Sequence, residues 1–382
     1  MAMTWVRALT VTNFRNYASL RLEAAKRPMV LIGANGAGKT NLLEAVSLLA
    51  PGQGMRRANF ADLARAGADG DWSVAAEIDC QGICYDVGTG VVARGAGSER
   101  SGRIVRINGE QRTGSGALAD IVEMVWLTPQ SDGLFSGPAS DRRRFLDRLI
   151  LCFDPGYRRR VTQFDRAMRQ RNRLLDRNGW DQAQFQGLEN LMAETGVAIA
   201  AARIEAVTAL QGEMNRRRNR RPDACFPWAH IELDGWLEHE LAHEAAVDVE
   251  DHYRHVLGRE RDRDRAAGRT LSGPHRSDLI VHHGPNGTPA KLSSTGEQKA
   301  LLVSLILAHA ELSAARKDGA APILLLDEVT AHLDSDRREE LAADLIRIGA
   351  QCWLTGTDRS AFAALEQKAA FYRVEAGALT RL

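Results

Sequence analysis

Three stretches of this chain, far apart in sequence, carry side chains suited to a polyphosphate. Residues 33–40 read Gly33-Ala34-Asn35-Gly36-Ala37-Gly38-Lys39-Thr40, directly after the apolar run Met29–Ile32 and before Asn41-Leu42-Leu43-Glu44. Glycines lack the Cβ atoms that would keep backbone N–H groups from closing around phosphate oxygens, and the helix N-terminus that follows favours negative charge. At this spacing Lys39 reaches β- and γ-phosphates and the Thr40 hydroxyl ligates Mg²⁺. A plain glycine turn is the bland alternative, and the full match in a strand–loop–helix setting argues against it. The second stretch, Ile323–Glu328, is an apolar strand ending in adjacent carboxylates. Asp327 can join the Mg²⁺ shell, and Glu328 can orient or deprotonate an attacking water. The third, Ser293-Ser294-Thr295-Gly296-Glu297-Gln298, precedes a helix expected over Lys299–Ser313. It offers hydroxyls, a glycine and a helix N-terminus to a phosphate, or it is an ordinary serine cap.

These groups need a sheet that brings both ends of the chain together. Val6–Thr12, Pro28–Ile32, Trp72–Asp79, Ile83–Val87 and Ile104–Ile107 read as strands, the last closed by the hairpin signal Asn108-Gly109, with a helix over Thr40–Leu49. From about Pro138 to Gly268 glycine and β-branched residues thin out, and Arg, Ala, Leu, Glu and Gln dominate at helical spacing. From Thr270 the α/β pattern returns: strand Pro322–Asp327, helix Ser335–Ile348, strand Gln351–Thr355 and a terminal hairpin over 372–375 and 378–381. The expected architecture is α/β: a P-loop ATPase head with a mixed sheet and helices, built from residues 1–137 and 269–382, interrupted by a mainly helical domain at 138–268.

Bulk composition sets the limits. With 382 residues, 44% hydrophobic and 26% charged, the chain is long enough for two domains and has ordinary globular character. A net charge of +1 requires any polyanion surface to come from local clusters. No signal-like stretch and no run of about 18 apolar residues occurs, so a cytoplasmic protein off the membrane is expected. Cysteines 80, 84, 152, 225 and 352 contain no CxxC pair, so reduced, mostly buried thiols are expected.

The P-loop, the Asp327-Glu328 strand end, the serine–glycine segment and Leu333-Asp334 together resemble the ABC-type ATPase superfamily. Four further segments narrow this: Leu9–Tyr17, the continuation of the P-loop through Leu49, Thr128-Pro129 with Arg142–Asp147, and Gly273–Leu279. In them the chain resembles the RecF family of bacterial recombination-mediator ATPases, related to SMC heads. That resemblance implies an ATP- and Mg²⁺-dependent, weak, DNA-stimulated ATPase whose subunits dimerise on ATP. It would bind double-stranded DNA near single-strand gaps and work with RecR and RecO to load RecA in gap repair and the SOS response. Ser293–Gln298 would then cover the γ-phosphate held by another subunit, with Asp334 just beyond the carboxylates. Arg56 or Arg57 would reach the γ-phosphate by analogy with SMC-like heads. The chain has Pro129-Gln130-Ser131-Asp132 where the family usually has Pro-Glu-Asp, which leaves a nucleotide-sensing role for Gln130 open. Thr355-Gly356-Thr357 supplies no switch histidine, so γ-phosphate sensing there would fall to a hydroxyl.

The helical segment holds arginine runs at 142–144, 158–160, 166–177 and 216–221. Arg216, Arg217, Arg218, Arg220 and Arg221 have few acids near them in sequence, which favours DNA phosphate contact over a solvated face. No interleaved aromatics suggest base stacking, so binding should follow backbone and shape. His239-Glu240-Leu241-Ala242-His243 matches a zinc-protease pattern without an evident third ligand and reads as chance. Arg276 can approach the nucleotide or the dimer partner, or form a salt bridge to Asp278 or another acid of the lobe. A transporter ATPase lacks support because no switch histidine is present, a chromosome-tethering SMC protein because the insertion is too short, and a non-enzymatic scaffold because Glu328 is present.

Overall fold

Alternating burial, strict in β4 and broken by a bulge in β1, sets the first layer. In β1 (Thr4–Phe14) Leu9, Val11 and Phe14 point inward, and in β4 (Trp72–Cys80) Trp72, Val74, Ala76 and Ile78 do the same. With β2 (Tyr17–Glu23), β5 (Ile83–Val91), β6 (Ile104–Ile107) and β7 (Glu110–Arg112) they form an antiparallel sheet in the order β2-β1-β4-β5-β6-β7. The second layer is built from continuous apolar runs, the mark of strands buried on both faces. β3 (Met29–Ile32), β8 (Met124–Leu127), β11 (Ile323–Leu326), β12 (Cys352–Gly356) and β13 (Ala370–Glu375) lie parallel, with β14 (Ala378–Arg381) antiparallel at the edge, in the order β14-β13-β3-β12-β11-β8. Leu42, Leu43, Val46, Leu48 and Leu49, in and just beyond helix α1 (Lys39–Ser47), join both sheets in one hydrophobic core.

The structure, a computed structural model, describes residues 3–68, 70–92, 102–176 and 181–382. They divide into two compact units: the described residues of Met1–Asp132 with Arg217–Pro227 and Ser294–Leu382, and Gly133–Arg216 with Trp228–Ser293. The first contains both sheets, α1, α8 (Thr295–Arg316) and α9 (Ser335–Ile348). The second contains α2 (Ala139–Ile150), α3 (Tyr157–Leu175), most of α4 (Gln182–Arg220), α5 (Trp236–Leu241), α6 (Ala246–Arg259), α7 (Arg261–Ala266) and the antiparallel pair β9 (Ala229–Asp234) and β10 (Asp278–His283). Its interior is tied by Arg171, fully buried, which donates to Glu189 at 3.1 Å, Asp264 at 2.7 Å, Thr270 Oγ1 at 2.9 Å and Leu257 O at 2.7 Å. Among the described residues no helix is long and apolar enough to cross a membrane.

The division departs from the expected boundaries for identifiable reasons. Residues 269–293 belong with the second unit because β10 pairs with β9, a strand inside the stretch expected to be helical. Residues 217–227 belong with the first because Arg217, Arg221 and the Cys225 N–H bond to acids on α8 and α9. Among the cysteines, all free, Cys152 and Cys352 are buried, but Cys84 and Cys225 are exposed, so "mostly buried" does not hold. Arg177, in the third arginine run, lies outside the described residues.

One buried amide joins the two sheets. Gln351 Oε1 accepts from the Val6 N–H at 2.9 Å, and its Nε2 donates to Val6 O at 2.9 Å and Ala25 O at 3.0 Å. Replacing it with leucine orphans a buried donor and acceptor, each costing about 1–3 kcal/mol. Gln351→Leu should therefore lower the urea midpoint by an amount equivalent to about 2–4 kcal/mol, and an unchanged midpoint would refute the tie.

Candidate nucleotide-binding site

Register places the site. Val30, Leu354, Leu326 and Leu127 align across β3, β12, β11 and β8, so the segments that follow these strands emerge at one carboxyl edge of the sheet, where open α/β sheets bind ligands. The glycine loop starts there. Gly36 and Gly38 have φ of 80° and 113°, and a Cβ on Gly38 would overlap the Asn16 amide. Asn16 donates to Ala37 O at 3.1 Å and accepts from Asn41 at 2.8 Å, while Tyr17 donates to Gly38 O at 3.0 Å. The Asn16-Tyr17 corner thus braces the loop from behind. Arg15 makes a paired contact with the buried Glu44 at 2.9 and 3.0 Å, fixing α1. Lys39 Nζ folds over the loop and donates to Gly33 O at 2.7 Å and Ala34 O at 2.9 Å. Burial pulls its pKa down, opposed by the charges of Glu328 and Asp327.

Asp327 is the meeting point. Its Oδ1 accepts from Thr40 Oγ1 at 3.0 Å and from Thr355 Oγ1 at 2.7 Å, and the Thr355 hydroxyl accepts the Glu328 N–H at 2.9 Å. Burial pushes the Asp327 carboxyl up, against the hydrogen bonds from Thr355 and Thr40. A hydroxyl and a buried carboxylate are the hard oxygen donors that Mg²⁺ takes, and a cation there would favour the ionised carboxylate, so Thr40 and Asp327 fit that ion. Glu328 sits at φ 50°, a left-handed conformation unusual for a non-glycine residue, and its carboxylate accepts no hydrogen bond among the described residues. Lys299, buried in α8, donates to Glu328 O at 2.9 Å and lies 3.3 Å from Asp132. Sequence reasoning missed Asn16, Lys299 and the bonds of the Thr355 hydroxyl to the Asp327 carboxylate and the Glu328 N–H; Thr357 is exposed.

The remaining candidates are spread along the chain. Ser294 caps α8 in a reciprocal box with Glu297, accepting the Glu297 N–H at 3.3 Å and donating its own N–H to Glu297 at 3.2 Å. The cap reading of this segment is therefore realised, and Thr295 remains exposed at the helix start. Ser293 closes the turn Ala290–Leu292 through Ala290 O at 3.1 Å. Asp334 caps α9, accepting the Arg337 N–H at 2.9 Å. Arg56 donates to Asn41 at 2.9 Å and lies 3.5 Å from Glu44, beside the first turn of α1. Gln130 is exposed in the turn Pro129–Gly133. Arg276 is exposed, and Asp278 is engaged by Arg142 at 2.8 and 2.7 Å, so the Arg276–Asp278 pairing is not the one formed.

The model of the RecF/RecN/SMC N terminal domain family matches residues 5–380. The DNA replication and repair protein RecF of Mesorhizobium japonicum is 50% identical over 376 residues, 98% of this chain and 97% of that protein. The chain belongs to the RecF family. RecF of Rhizobium etli is 48% identical over 370 residues, 97% of this chain and 96% of that protein. A solved structure described as the recombination mediator protein RecF-ATP in the RecFOR pathway has a TM-score of 0.83 at 22% identity, covering 100% of both chains. The Smc head domain of Pyrococcus furiosus, bound to the C-terminal domain of ScpA, has a TM-score of 0.56 at 15% identity, covering 100% of this chain and 96% of that one. The fold is that of RecF and SMC ATPase heads.

In this RecF-family chain the favoured arginine run is committed elsewhere. Arg217 pairs with Glu311 and, at 2.7 Å, with Asp344; Arg220 reaches Glu311 at 2.8 Å; Arg221 reaches Glu340 at 3.1 Å and Asp344 at 2.5 Å. Arg216 pairs with Glu213 at 2.5 Å. Arg218 is exposed. Few acids stand near these arginines in sequence, as expected, but the fold brings partners from more than ninety residues away to Arg217, Arg220 and Arg221. The two histidines of the HExxH pattern stay close, ring centroids 4.9 Å apart, but α5 ends at Leu241, His243 Nδ1 is 2.9 Å from His239 O, and Glu240 holds His252 at 2.9 Å. Among the described residues no group of three or more His, Cys, Asp or Glu side chains is placed to hold a metal ion.

Thr355→Val removes one bond to Asp327 and orphans the Glu328 N–H, a cost of about 1–3 kcal/mol. Its urea stability and nucleotide hydrolysis should both fall, and Thr355→Ser should restore both; a valine variant equal to wild type would contradict this geometry. Asp344 gives a pH test. Burial alone would raise its carboxyl, but Arg217, Arg347 and Arg221 outweigh burial and hold it below the ordinary range. A pKa depressed on folding stabilises above the unfolded value of about 3.9 and loses that stabilisation as pH falls through the folded value. Asp344→Asn should cost about 3–5 kcal/mol at pH 7 and flatten the acid limb of the stability curve; an unaltered limb would exclude this role.

Proposed function

We propose that this RecF-family chain is an ATP-dependent DNA-binding protein of replication and recombinational repair. The observation that carries the reading is the bonded unit of Thr40, Asp327, Thr355 and Glu328 at the mouth of the glycine loop, in a chain whose relatives are named for DNA replication and repair. The N–H groups of the loop and Lys39 hold the phosphates, and Thr40 with Asp327 holds Mg²⁺. The ion, when bound, supplies charge neutralisation at the phosphoryl oxygens. Glu328 orients the attacking water or takes its proton, its backbone pinned by Thr355 so that its free carboxylate is directed by the turn. Ser293–Gln298 of a second copy completes the site, with Arg56, Gln130 and Asp334 at its margin. ATP thereby favours a homodimer, and slow, DNA-stimulated hydrolysis releases it.

The DNA is duplex adjoining single-strand gaps, and the output is RecA loading with RecR and RecO in the cytoplasm, in gap repair and the SOS response. The description of the RecF-ATP structure as a mediator of the RecFOR pathway supports that assignment. The test is mass in solution, with and without Mg·ATP and a short duplex. Wild type should dimerise on ATP, Lys39→Met should remain monomeric, and Glu328→Gln should keep the dimer and its DNA longer while hydrolysing at least about a hundredfold more slowly. A monomer under every condition would remove the shared site.

A further inference from the structure

Helix α3 (Tyr157–Leu175) has two opposed faces set by its sequence. Tyr157, Phe164 and Arg171, seven residues apart, are buried and anchor it in the second unit. Arg159, Arg166 and Arg173 repeat the same spacing two residues later, about 200° around the helix, and all are exposed. Arg169 stands on the same face, with Gln163 and Gln170 between the arginines and likewise exposed. Asp165, the carboxylate of α3, is half-buried and feels Arg169 electrostatically, but among the described residues none of the four arginines forms an ion pair. Arginines at i,i+3 and i,i+4 repel, so the stripe works against the stability of its own helix. By contrast Arg160 pairs with Asp154, and Arg171 is consumed by Glu189 and Asp264. Arg159, Arg166, Arg169 and Arg173 thus share the outward face.

We infer that Arg159, Arg166, Arg169 and Arg173 form a phosphodiester-binding stripe that lies along one backbone strand of duplex DNA. This rests on the DNA-binding reading above and moves the contact from the 216–221 run to α3. The occupant follows from charge complementarity: the stripe is about 21 Å long, the axial rise of about six base pairs, and presents guanidinium and amide donors, with Asp165 half-buried beside Arg169 and Asp176 just past its C-terminal end. It carries no aromatic platform or apolar anchor, so it suits a backbone and reads no sequence.

The experiment measures binding of a labelled duplex by anisotropy in Mg·ATP across a salt series. The proteins are wild type, the fourfold Arg→Gln variant of the stripe, and a control, Arg254→Gln with Arg263→Gln, whose arginines are already paired with neighbouring acids. The stripe variant should lose about tenfold or more in affinity, and its salt slope should fall by about 3–4, near 0.9 per arginine. The control should match wild type, and all should dimerise on ATP. Unchanged affinity and slope in the stripe variant overturn the inference while leaving DNA binding intact. Loss of dimerisation in the stripe variant would make the face a subunit contact and also overturn it. Failure of wild type to bind duplex at any salt would overturn the DNA-binding reading itself.

Discussion

The candidate site depends on one carboxylate that cannot be left alone. Asp327 lies at the end of β11 with almost no solvent, and a buried carboxylate is costly unless hydrogen-bonded or paired. Thr40, at the start of α1, and Thr355, near the end of β12, meet that need. Residues from the two ends of the sequence are thereby held at one oxygen, and the parallel order of β3, β12 and β11 is what allows it. Because the Thr355 hydroxyl also accepts the Glu328 N–H, positioning of the next carboxylate follows from the same contact.

The rest of the first unit is arranged to keep that edge rigid. Asn16 and Tyr17 bond to the loop's carbonyls, Arg15 locks Glu44 on α1, and Gln351 fastens β12 to β1. Lys299 brings α8 onto the Glu328 carbonyl, so the helix that begins at Ser294 is mechanically joined to the turn that presents Glu328. Each tie uses a buried polar group bonded to backbone or to an opposite charge. Such a group specifies geometry because the alternatives leave it unsatisfied.

Much of this was legible from sequence wherever the signal was local. The P-loop in its setting placed β3 and α1, the apolar run placed β11, and α9 spans Ser335–Ile348 as expected because Asp334 caps it and Gly349 at φ 71° ends it. The misses share a cause. Four apolar residues at Met124–Leu127 do not declare themselves a strand, and Ala229–Asp234 alternates correctly but lies among helical segments, its partner β10 being far downstream. Lys299 and Thr355 acquire their roles from residues distant in sequence, and no spacing rule reaches that far.

The arginines make the same point about charge. Runs at 158–160 and 216–221 look alike as sequence, yet half-buried Glu311 on α8 and buried Glu340 and Asp344 on α9 draw Arg217, Arg220 and Arg221 into ion pairs. Removing either partner from such pairs strands a charge in poor solvent, so these arginines are bound to the fold before any ligand arrives. On α3 the helical repeat sends each successive arginine to a different environment: Arg171 inward to carboxylates, Arg166, Arg169 and Arg173 outward to water. Density of basic residues along a sequence therefore measures supply. Availability to a polyanion is set by which helix face the repeat assigns and by the acids that tertiary structure brings to the other face.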